Sequence, residues 1–111
     1  MSSDESVSVI YCTCPPAEAS RLARELVQAR HAACVNILPG VTSVYRWEGN
    51  VEEDAESLLV IKTARGRVAE LTAFLTALHP YEVPEVIAID VVAGSEKYLS
   101  WVRGEVATGS N

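Results

Sequence analysis

Apolar positions along the chain switch between the two-residue period of strands and the three-to-four-residue period of helices. Residues 7–14 are β-branched and apolar, as in a strand buried on both faces, and they end at Pro15-Pro16. From 16 to about 31, Ala19, Leu22, Ala23 and Leu26 recur on one helical face, with Glu18 in the first turn where the helix dipole favours an acid. Residues 33–38 read as a second strand, interrupted by Pro39-Gly40 and resumed over 41–47, where Val41, Ser43, Tyr45 and Trp47 share a face. Glu48-Gly49-Asn50 turns the chain back, and 57–63 forms a third strand around Leu58-Leu59-Val60-Ile61. Val68, Leu71, Leu75 and Leu78 mark a second helix that begins near Gly66 and stops at His79-Pro80. Residues 85–93 form a fourth strand, and Ser95 caps a short last helix carrying Tyr98, Leu99, Trp101 and Val102. Residues 1–6 read as a flexible polar lead and 104–111 as a frayed tail, leaving 7–103 as one domain.

This order, β-α-β-β-α-β with an added helix, predicts an α+β fold: a ferredoxin-like sandwich with both crossover helices on one face of a four-stranded sheet. Lengths do not match across its layers. A 15-residue helix covers about 23 Å, whereas residues 34–47 fully extended span about 46 Å. The hairpin of residues 33–63 therefore overhangs its helices, carrying Val41, Val44, Tyr45, Trp47 and Val51 with it. Such an apolar edge invites association, which predicts a homo-oligomer.

Composition narrows the function. A 111-residue chain with formal charge −6, pI near 4.8 and scattered basic residues is a poor nucleic-acid or anionic-membrane ligand. Three cysteines, with Cys12 and Cys14 one residue apart, do not make a disulfide framework, so reduced thiols and a cytoplasmic location are expected. No apolar run reaches transmembrane length. No Ser-His-Asp or metal-hydrolase motif is present, and Pro15-Pro16 stands where an acylphosphatase would place its phosphate loop, so catalysis is not expected.

The run Ala33-Cys34-Val35-Asn36-Ile37-Leu38-Pro39-Gly40-Val41-Thr42-Ser43-Val44-Tyr45-Arg46-Trp47-Glu48-Gly49 resembles the signature of the CutA family, the divalent-cation-tolerance proteins. Cys12-Thr13, Ile61-Lys62-Thr63, the segment from His79 to Glu85 and Tyr98-Leu99-Ser100-Trp101 extend the likeness over about 7–102. The resemblance implies a tight homotrimer like that of the PII signalling proteins, with the long hairpins pairing between subunits. It also implies binding of copper or another divalent metal ion in metal tolerance, with Cys12 and His79 at the positions of the family's copper ligands. Leu78 replaces the first of the two histidines in the double-histidine version.

Copper(I) favours thiolate and imidazole, which suits Cys12 and His79 and adds Cys14 as a neighbour. Packing is the competing role of Cys14, and Cys34 is assigned to the core. His31 ends a helix, where capping is its expected role. A second reading of function is a PII-like signalling or scaffold trimer. In it Asn36, Trp47, Lys62, Tyr81 and Glu85 form a subunit cleft for a small anion or a partner protein, against an alternative in which Lys62 pairs with Glu85 at an interface. The acidic run Glu52, Glu53, Asp54 and Glu56 is expected to be a solvated face that keeps the hairpin soluble.

Overall fold

The computed structural model describes residues 6–108. Its elements are β1 (Val7–Cys14), α1 (Ala19–Gln28), β2 (Cys34–Trp47), β3 (Asn50–Ala64), α2 (Val68–Leu78), β4 (Ile87–Asp90) and α3 (Glu96–Val106). Single 3-10 turns, Pro16–Glu18 and Arg65–Arg67, precede α1 and α2. Both helices thus start later than their apolar period suggests, because the entering chain first tightens into i→i+3 bonds. The four strands form one antiparallel sheet in the order β2-β3-β1-β4, the ferredoxin-like arrangement.

Alternation along β1 divides its side chains between two faces. Ile10, Cys12 and Cys14 join Leu59 and Ile61 of β3 beneath Ala19, Leu22 and Leu26 of α1 and Leu71 and Leu75 of α2, forming the main core. On the other face, α3 covers one end, packing Val102 and Val106 against Val7, Ala33 and Ala64. The rest of that face stays open: Ile87 and Ile89 of β4, paired with Tyr11 and Val9, are about half exposed.

The hairpin is as long as its sequence implies, and the greatest extent of the molecule is 47 Å. Pro39-Gly40 is a bulge between Leu38 and Val41, with Gly40 at φ 79°. The tip is a two-residue turn, Glu48-Gly49, with both residues at positive φ.

Several expectations need correction. The third strand runs back to Asn50, because the pairing with β2 continues to the tip. The fourth strand is only Ile87–Asp90, since the partner β1 offers it Ser8–Tyr11 and Pro84 interrupts the chain before it. Residues 104–106 do not fray: α3 extends through Val106, which is 1 % exposed against Val7. The lead, apart from Ser6, and residues 109–111 of the tail lie outside the described residues. His31 does not cap its helix through its side chain. Its ring lies 4.5 Å from that of Phe74, and Nδ1 accepts from the Arg67 guanidinium at 3.2 Å. Cys34 is half-buried on the open face rather than in the main core, because it shares a register position with Lys62.

Candidate functional site

The end of β1, the hairpin beyond its bulge and the irregular chain after α2 converge on one cleft. Proline at 80 and 84 keeps this last segment out of helix and sheet. His79 anchors it. Tyr81 N–H donates to His79 Nδ1 at 3.1 Å, which leaves the ring proton on Nε2, and Nε2–H donates to the Thr13 carbonyl at 2.8 Å. The His79 and Tyr81 rings then lie 4.7 Å apart, and the Tyr81 hydroxyl donates to Glu56 Oε2 at 2.6 Å. Across the hairpin the Tyr45 hydroxyl donates to Asp54.

These contacts wall a cleft of about 640 Å³, with Thr13 at its β1 side, Ser43, Val44, Tyr45, Trp47 and Glu56 from the hairpin, and Pro80, Tyr81, Glu82, Val83 and Glu85 opposite. Its field is negative. The hydrogen bond to Asp54 and the nearby acids push the Tyr45 phenol up to about 12. Burial first, then Glu56, raises Tyr81 as well.

Only part of the predicted ligand cleft is assembled here: Trp47, Tyr81 and Glu85 line it, while Asn36 and Lys62 do not. Lys62 instead donates to Asn36 Oδ1, with its ammonium 3.9 Å from Cys34 Sγ. This second group lies on the open face, six residues along β3 from Glu56, or about 20 Å away. Among the described residues no Lys62–Glu85 ion pair forms.

Cys12 and His79 do approach each other, since Cys12 Sγ lies 3.6 Å from the same Thr13 oxygen that His79 holds. Burial, then Cys14, pushes the Cys12 thiol up to about 12, and Cys14 rises to about 11, so both stay protonated at neutral pH. His79 has its lone pair engaged by Tyr81 N–H. No group of three His, Cys, Asp or Glu side chains among the described residues is placed to hold a metal ion.

Glu56 is the residue that sequence reasoning misplaced. Counted with the solvated acids of the hairpin, it is 5 % exposed and bonded to Tyr81. The available signal was its place just before Ser57, which pairs with Cys14 and so belongs to the helix-covered half of β3.

A family profile described as CutA1 divalent ion tolerance protein matches residues 8–105. The chain belongs to the CutA family. It is 51 % identical over 96 residues to Protein CutA, chloroplastic, of Arabidopsis thaliana, a match covering 86 % of this chain and 53 % of that one. It therefore spans about half the length of that relative. It is 48 % identical to the divalent-cation tolerance protein CutA of Thermus thermophilus, covering 86 % of this chain and 93 % of that one. Among solved structures, CutA1 from Oryza sativa superposes with TM-score 0.91 at 43 % identity, covering 97 % of this chain and 100 % of that one. The PII-like protein CutA from Nostoc superposes with TM-score 0.86 at 36 % identity, covering 90 % and 97 %. The fold is that of CutA and PII-like proteins, and the family is named for tolerance rather than for a catalysed reaction.

Proposed function

We propose that this chain acts as a homotrimer in divalent-cation tolerance, taking copper or another divalent metal ion, or a small ligand, at clefts beside its long hairpins. The observation that carries this reading is the uncovered apolar surface of the distal hairpin and of β4. Val44, Val51, Ile87 and Ile89 are 48–67 % exposed in the single chain, and an apolar surface of that extent calls for another copy. The family name of its relatives supports the tolerance role. The free thiols of Cys12, Cys14 and Cys34 support a cytoplasmic setting.

Copper ligation by Cys12 and His79 is the residue-level form of the metal reading. It requires the thiol to lose its proton and His79 to give up a hydrogen bond. The test combines light scattering with copper titration of wild type, Cys12→Ser and His79→Ala. A trimer whose stoichiometric uptake falls in both variants is the expected result; uptake unchanged in both removes this pair from the reading.

A second reading, a PII-like signalling trimer binding a small anion, is supported by Lys62 on the open face beside Asn36 and by the structural likeness to a PII-like relative. It predicts stabilisation by an anionic metabolite that Lys62→Ala abolishes. A broad anion panel without any thermal shift would count against it.

A further inference from the structure

We propose that the hairpin cleft binds an organic cation, an amine or quaternary ammonium ion on an apolar body, with its charge against Glu56 and its body among the rings of Tyr45, Trp47 and Tyr81. This deepens the small-ligand form of the proposed function, and it rests on the cleft being a binding site.

Charge is the first argument. Glu56, Glu82 and Glu85 line the cleft, and no Lys, Arg or His side chain does so among the described residues. An anion entering it meets three carboxylates and no counter-charge. Among these three carboxylates Glu56 stands apart by its burial. Glu56 is 5 % exposed, a degree of burial at which a carboxylate ordinarily has a cationic partner. Its one hydrogen bond comes from the neutral Tyr81 hydroxyl, and none of the ion pairs among the described residues includes it. A buried, negatively charged group facing a cavity without a counter-ion is poised to receive one.

A metal ion needs several donors converging on one point, and no such group of three exists among the described residues. A cleft of about 640 Å³ has the size of a small-molecule pocket, far beyond a bare ion. Its apolar walls include three aromatic rings, and Tyr45, Trp47 and Tyr81 are left 36–41 % exposed, with ring surface available to a cation. Tyr45 and Tyr81 have their hydroxyls turned to Asp54 and Glu56, so these phenols donate into carboxylates and make the rings richer partners for positive charge.

The test is calorimetric titration of the assembled full chain with benzyltrimethylammonium and phenethylamine, against phenylethanol as neutral analogue, manganese as metal and glutamate as anion. Saturable binding of both cations is expected, with the alcohol at least tenfold weaker. Glu56→Gln keeps an acceptor for Tyr81 and removes the charge, so it is expected to weaken the cations about tenfold. Trp47→Leu, at an exposed position, gives a second loss should Glu56→Gln fail to fold, while Glu53→Gln is expected to change nothing. Equal binding of alcohol and cation, displacement of the cation by manganese, equal loss in Glu53→Gln, or no saturable binding would each overturn the inference. Light scattering and copper uptake on the same samples separate it from the broader reading: a copper-binding trimer that ignores both ammonium ions overturns only the organic cation.

Discussion

Residues 57–64 and 50–55 belong to one strand, β3, and live in different environments. In the first half Leu59, Ile61 and Thr63 are wholly buried; in the second every residue is exposed. Backbone pairing differs between the halves: 57–64 also pair with β1, whereas 50–55 pair with β2 alone. Cover differs as well, since α1 and α2 are 10 and 11 residues long and the strands they cross are 14 and 15. A two-stranded ribbon without helices over it leaves its side chains exposed, so the distal half has no core of its own. Glu56 stands at the boundary, which is why a carboxylate there is buried, bonded and adjacent to a cleft.

The contrast can be broken most severely in the covered half. Leu59→Ala is expected to cost about 2–5 kcal/mol in chemical denaturation, whereas Val51→Ala at the distal end stays within about 0.5 kcal/mol. Equal losses would mean that the distal half is as well packed as the proximal one. Next comes the boundary itself. Glu56→Ala is expected to lose about 1–3 kcal/mol and Glu53→Ala almost nothing, and a double-mutant cycle with Tyr81→Phe assigns the difference to their hydrogen bond. At the tip the sign reverses. Glu48 holds φ 50°, so Glu48→Gly relieves left-handed strain and is expected to gain about 1 kcal/mol, read as a higher Tm.

The smallest effect is on pH dependence and lies at the covered end. Burial, then the Arg67 guanidinium, lowers the His31 pKa below its ordinary 6.5. A histidine with a depressed pKa in the folded state favours folding above about 6.5, and that contribution is lost as pH falls through the folded value. Wild type is thus expected to lose stability on acidification below 6.5 more steeply than His31→Gln. Parallel pH profiles of the two proteins would show that the contact between His31 and Arg67 carries no proton linkage.

Much of this molecule can be read from local pattern. Strand alternation in β1, the apolar stripes of α1 and α2, the Pro39-Gly40 bulge and the overhang of the hairpin all follow from near-neighbour residue types, and the structure keeps them. Element ends are less legible. Val106 looks like part of a polar tail until Val7 and Val102 are found beside it, and β4 is as short as the stretch of β1 it pairs with. The site is least legible of all. Asn36, Trp47, Lys62, Tyr81 and Glu85 look like one constellation by residue type, yet the bulge and the length of β3 divide them between a cleft and the open face.

By itself the sequence determined the α+β order, the excess of hairpin over helix and the family, because periodicity, turn chemistry and motif are written in consecutive residues. Only the tertiary structure decided that Glu56 is buried while Glu53 is solvated, that His79 spends its lone pair on Tyr81 N–H, and that no basic side chain lines the cleft among the described residues. Burial, hydrogen-bond partners and local field depend on segments dozens of residues apart, and these come together only when the sheet closes.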